Sequence, residues 1–164
     1  MKEQPVSFAQ KLFPFLNKVE IACMLALAIG LVAQYLKYPA QSLLIVALGG
    51  LSIVFFLGAY QPPTFVRDEN EKWGMPELLQ LTIAPKVLGI GMAVACIGIL
   101  FKMIDVNPEG SAQMLLLGGG TSAIAIAIIL IGLVTNVKHI HSLVPKLYRA
   151  VPIAAIALYL YNVN

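Results

Sequence analysis

The chain has 164 residues, 59% of them hydrophobic and 12% charged, with 11 basic against 8 acidic side chains and a mean hydropathy of +0.85. A soluble globular domain carries about twice that share of charge, so the composition excludes one and requires a lipid environment. The net charge of +3 needs no nucleic-acid partner, because the basic residues flank apolar runs where topology and anionic lipid account for them.

The first 17 residues hold Phe8, Phe13, Pro14 and Phe15 but neither a continuous apolar core nor a small-residue cleavage site, so no cleavable signal peptide is expected. Phe8, Leu12, Phe13, Phe15 and Leu16 suit an amphipathic segment at the membrane surface. Four runs follow, 19–36, 42–60, 85–104 and 112–134, each long enough to cross about 30 Å of hydrocarbon and expected to hold no Asp or Glu in its interior. The first of them would itself act as the insertion signal. Cys23 and Cys96 fall inside these runs and read as buried free thiols.

Between the second and third runs lies 61–84, the one sizeable soluble piece. Pro62-Pro63 stops the second helix, and Arg67, Asp68, Glu69, Glu71 and Lys72 read as a solvated surface. Trp73 suits an interfacial anchor, and Pro76-Glu77 the first turn of a short helix. After the fourth run, His139 and His141 are two potential ligands with no carboxylate or thiol nearby, which falls short of a metal site. The segment 144–161 carries Lys146, Arg149 and Pro152 early and is expected to cross, the alternative being an interfacial helix.

These elements predict an all-α polytopic membrane bundle of four to five crossings. Its parts are an interfacial segment 1–17, a hairpin 18–60, a loop 61–84, a second hairpin 85–135, and a loop with a C-terminal helix 136–164. Lys2, Lys11, Lys18, Arg67, Lys72, Lys86, Lys138, Lys146 and Arg149 fall on one side, against Lys37 and Lys102 on the other. That bias predicts a bacterial inner membrane with the N-terminus cytoplasmic.

The two hairpins align. "KVEIACMLALAIGLVAQYLKYP" against "KVLGIGMAVACIGILFKMIDVNP" pairs Met24 with Met92, Gly30 with Gly98 and Gln34 with Lys102, with Pro39 and Pro108 marking the turns. "SLLIVALGGLS" against "AQMLLLGGGTS" then pairs Gly49-Gly50 with Gly119-Gly120 and Ser52 with Ser122. This reads as a tandem duplication in like orientation. In the turn Asn107-Pro108-Glu109-Gly110, glycine is expected to take the positive φ that closes the link. Lys102 has two readings, snorkelling to the headgroups or lining an ion path, and no intramembrane acid is expected to pair with it.

In lipid, helices associate where small residues let backbones approach. The expected faces are Ala22, Ala26 and Gly30 on the first helix, Gly49 and Gly50 on the second, Gly91 and Ala95 on the third, and Gly119, Ala123 and Ala127 on the fourth. They serve either intrachain packing or a partner's helix. Gln34, Ser52, Lys102 and Ser122, with Gln113 and Thr121, are the polar residues available to line a solute path. No catalytic constellation and no cofactor motif stands out, so an enzyme is not expected. The function this supports is a non-catalytic subunit or scaffold whose partners are lipid and other membrane subunits or further copies of itself; the alternative is a small-solute or ion transporter.

"IGILFKMIDVNPEGSAQMLLLGGGTSAIAIAI" and "LSIVFFLGAYQPP" resemble the membrane hairpin of GldL, the inner-membrane subunit of the Bacteroidota gliding and type IX secretion motor. The family shows a similar lysine-bearing end to its first helix, a short polar turn and an aromatic-rich exit near proline. The resemblance implies a place in such a machine. It also implies a membrane-embedded glutamate on the second helix, where this chain has Ser52 and Ser122. Lys102 matches the family lysine, while the first copy has Gln34.

Overall fold

A computed structural model of the chain describes residues 8–61 and 74–163. They form α1 (Phe8–Tyr35), α2 (Gln41–Ala59), α3 (Met75–Leu78), a π-helical turn (Leu79–Ile83), α4 (Ala84–Ile104), α5 (Pro108–Val134), a 3-10 turn (Ile140–Leu143) and α6 (Val144–Asn162). Five helical rods are long and apolar enough to cross a membrane: Phe15–Tyr35, Gln41–Ala59, Met75–Ile104, Pro108–Val134 and Ile140–Asn162. The expected helical membrane bundle is therefore the observed fold. Pro62-Pro63, the charges from Arg67 to Lys72, and Trp73 lie outside the described residues.

Successive rods run antiparallel. Gly30 late in α1 meets Leu44 early in α2, Gly89 early in α4 meets Ala59 at the end of α2, and Gly119 of α5 meets Leu158 late in α6. The turns at Pro39 and Pro108 thus share one end of the bundle, and residues 136–143 lie at the other. α4 is the central rod, packed on α2, α5 and α6, whereas α1 packs along α2. Leu48, Leu51, Leu88, Met92, Cys96, Leu115, Ile129 and Ile153 fill the core. Val46, Ile53, Ile124 and Ile131 point outward, which suits a surface solvated by acyl chains rather than water.

Two boundaries differ from the sequence expectation. α1 starts at Phe8 and runs unbroken into the first span, so 8–17 continues that helix. The third span starts at Met75, ten residues before the hydropathy run, because Pro76 occupies an early helical position and Glu77 sits in the first turn. Pro85 offers no N–H to the carbonyl one turn back and crowds it. The wider π turn at Leu79–Ile83, directly upstream, accommodates that missing bond without ending the rod.

The second hairpin's turn also closes differently. Gly110 is helical, and the left-handed residue is Asp105 (φ 51°, ψ 34°), with Lys37 (φ 64°) likewise left-handed at the end of the first hairpin's leading helix. Asn107 then caps α5, its Oδ1 accepting from the Gly110 backbone N–H at 2.9 Å, with Pro108 at the first helical position. Asparagine and proline fix the start of α5, so the reversal falls on the preceding helix end and not on glycine.

Candidate functional site

Small residues bring backbones together, and on α1 and α5 the packed faces are rotated from the expected stripes. A step of four residues turns a helix face by about 40°, so a stripe built only of fours drifts off a straight neighbour, while alternating threes and fours holds it. α5 buries Ser111, Leu115, Gly118, Gly119, Ser122, Ala125, Ile129 and Gly132. Gly118, which the four-residue stripe passes over, lies against the backbone of Ala95. Gly119 meets Leu158 and Ala157 of α6, while Ala123 is half-buried and Ala127 exposed.

On α1 the inward face is Leu16, Glu20, Cys23, Leu27 and Gly30, not Ala22, which is exposed, or Ala26, which is half-buried. A methyl on Gly50 would meet Cys23 Sγ, whereas one on Gly49 would meet nothing within 4 Å. Gly91 and Ala95 are buried, Gly91 against Ser122 and Thr121.

The same inward face of α1 carries the residue the sequence reading missed. Glu20 sits second in the run 19–36, where it passed as a flank, yet its side chain is only 11% exposed. Arg149 of α6 donates from Nη1 to Glu20 Oε2 at 2.8 Å. The expectation of spans without an acid is therefore corrected. A carboxylate at this depth is partnered by a guanidinium, since an unpaired ion inside a span is strongly disfavoured. The available signal was the spacing of Lys146 and Arg149, which puts two cations on one face of α6, with Glu20 the lone acid of the first run.

Around the pair is a cavity of about 80 Å³ between α1, α2, α4 and α6. At about 10–15 Å³ per water it admits a few small groups and no large substrate. Leu16, Val54, Phe55, Leu88 and Met92 wall it, and Asn17 and Gln61 add neutral polar groups. Lys146, one turn before Arg149 and half-buried, lines the same cavity. Among the described residues the cluster holds two basic side chains and one acidic one.

The polar residues put forward for a solute path do not share one. Gln34, Gln113 and Thr121 are exposed on three outward positions, and Thr121 Oγ1 donates to the Leu117 carbonyl of its own helix at 2.6 Å. Ser52 and Ser122 are buried on α2 and α5, and Lys102 is half-buried toward the end of the bundle that bears Pro108. Ser122 Oγ has no hydrogen-bond partner among the described residues. Among the described residues no three His, Cys, Asp or Glu side chains gather as a metal would require, His139 and His141 included.

No protein-family model matches the chain, and no curated protein and no solved structure is significantly similar to it.

Proposed function

We propose that the chain is a non-catalytic subunit or assembly factor of a multi-protein complex in a bacterial inner membrane, with its N-terminus in the cytoplasm. The observation that carries this is the outer surface of α1. Only 11% of its most apolar window is buried, against 44% for the span Met75–Ile104, and the helix is held chiefly by one neighbour. That outer surface has a shallow, almost wholly apolar groove in which Ala28 and Ala33 alternate with Ile29, Val32, Leu36 and Tyr38. Small side chains between large ones are what a partner helix needs for close approach in lipid.

The resemblance to GldL supports placing that complex in gliding or type IX secretion. Contacts at matched positions support a duplicated hairpin: Gly30 meets Leu44, and Gly98 meets Met114 and Leu115. Proton-driven rotation is not part of the proposal. Glu20 lies on the first helix rather than the second and is engaged by Arg149, and the aligned Ser122 is fully buried against Gly91, with no room for a longer side chain. The excess of cations at the Lys18, Lys86, Lys138 end supports a cytoplasmic N-terminus.

A photo-crosslinking residue at Val32, followed by mild-detergent purification and mass spectrometry, tests the reading. The expected result is one stoichiometric membrane partner crosslinked at that position. Crosslinks to lipid alone, from a chain that always purifies by itself, would overturn it.

A further inference from the structure

The cluster in the cavity is unbalanced, and the imbalance sits inside the spans. Glu20 lies about 7–8 Å along the rod that starts at Phe15, and Lys146 about 10–11 Å along the one that starts at Ile140, at about 1.5 Å per α-helical and 2 Å per 3-10 residue. Glu20 hydrogen-bonds Arg149 and reaches Lys146 only through its field, so one carboxylate serves two basic side chains, and the guanidinium of Arg149 keeps further N–H donors beyond the one that Glu20 takes. A counter-anion favours the charged form of basic groups next to hydrocarbon, which desolvation otherwise disfavours.

The exposure of Arg149 points to the kind of anion. α1 packs on α2 and α6 on α4 and α5, and the Glu20–Arg149 pair joins α1 to α6. Arg149 lines the cavity and is 36% exposed, so it carries the cluster from the cavity wall to the surface of the spans. The headgroup layer, about 5–8 Å deep on each side of the hydrocarbon, is the nearest source of anions at that depth.

We propose that this cavity binds the phosphate of an anionic phospholipid. Lys146 and Arg149 are its charged ligands, Arg149 through the donors that Glu20 leaves and Lys146 as a point charge, while the glycerol and acyl chains stay outside the small cavity. Glu20 acts as a built-in competitor that holds Arg149 in place and limits affinity. The proposal goes beyond the subunit reading and does not depend on it, because it concerns lipid bound to this chain alone.

Native mass spectrometry of the full chain, released from nanodiscs of phosphatidylglycerol mixed with phosphatidylcholine, tests it. Phosphatidylglycerol should be retained over phosphatidylcholine, and Lys146→Gln should lower its retention about fivefold while leaving phosphatidylcholine unchanged. Lys146→Arg should keep the preference and guards against a folding defect. Glu20→Gln should raise phosphatidylglycerol retention even where it lowers thermal stability, a gain that a merely structural carboxylate would not give. Equal retention of the two lipids, or of phosphatidylglycerol by wild type and Lys146→Gln, would overturn the proposal. So would inorganic phosphate at millimolar concentration displacing the lipid, which would identify a soluble anion as the ligand.

Discussion

Arg149 on α6 and Glu20 on α1 meet at 2.8 Å across 129 residues of chain and tie the first span to the last. The two partners differ in burial, so the pair should respond asymmetrically. Arg149→Ala strands a carboxylate that is 11% exposed, whereas Glu20→Gln leaves an arginine that is 36% exposed and free to turn toward the headgroups. Arg149→Ala is expected to lose about 2–3 kcal/mol, at or below the usual range for a fully buried pair because the arginine is partly solvated. Glu20→Gln should lose less, and the double variant should recover part of the loss of Arg149→Ala. Reversible unfolding in mixed micelles measures all three, and equal losses for the two single variants would contradict the asymmetry.

Gly118 and Gly120 lie two residues apart and should behave oppositely. A methyl at Gly118 would strike the backbone of Ala95, which cannot move without separating α4 from α5, while at Gly120 it would meet nothing within 4 Å. Gly118→Ala is expected to cost about 2–3 kcal/mol, in the range of overpacked cores. Gly120→Ala should be neutral or stabilise by up to about 1 kcal/mol, the helix-propensity difference. The same unfolding assay decides, and a tolerated Gly118→Ala would show that the interhelical contact is looser than the structure describes.

The contrast also shows what could be read from the sequence. The spans were legible because the hydrocarbon thickness fixes how many apolar residues a crossing needs, and the position of the turns followed from Pro39 and Pro108. Which face packs was not, because Gly118, Gly119 and Gly120 are alike in sequence and only the α4–α5 crossing distinguishes them. Glu20 was hidden by its place at the edge of a run, since its burial depends on Arg149, far along the chain. The residue closing the second turn was misread for a related reason: Asn107 and Pro108 claim the start of α5, which makes Gly110 helical.

Asp105 bears the left-handed conformation that ends α4 (φ 51°). Outside glycine this conformation is disfavoured by about 1 kcal/mol, somewhat less for Asp and Asn. Asp105→Gly is therefore expected to stabilise the hairpin by about 0.5–1 kcal/mol, and Gly110→Ala to be tolerated far better than a turn glycine would be, apart from the local crowding of its methyl against Asn107. Thermal unfolding of the two variants checks both, and a destabilised Asp105→Gly would mean that the carboxylate has a role of its own.

The antiparallel order puts Lys37 and Glu109 at one end of the bundle and Gln61 and Ser142 at the other. In a Cys23→Ala background, with Cys96 buried in the core, Lys37→Cys and Glu109→Cys should react with a membrane-impermeant maleimide from the same side of intact cells. Gln61→Cys and Ser142→Cys should react only after permeabilisation. Labelling of Lys37→Cys and Glu109→Cys from opposite sides would break the five-crossing topology. The reverse pattern for all four would invert the proposed orientation and leave the fold intact.

Ser122 and Gln80 each bury an oxygen with no hydrogen-bond partner among the described residues, Ser122 in the α4–α5 contact and Gln80 in the π turn, where its Oε1 lies over Gly132. An unsatisfied buried polar atom costs about 1–3 kcal/mol of desolvation with little return, and an apolar replacement of similar shape removes that penalty. Ser122→Ala and Gln80→Met are expected to raise stability by about 0.5–1 kcal/mol each, since the loss of a few van der Waals contacts offsets part of the gain. The two sites are far apart along α5 and share no partner, so the gains should add in the double variant. If either replacement destabilises the protein while the other does not, the oxygen it removes has a partner, most simply a bound water, and the π turn or the α4–α5 seam around it is a wet polar site rather than a packing compromise.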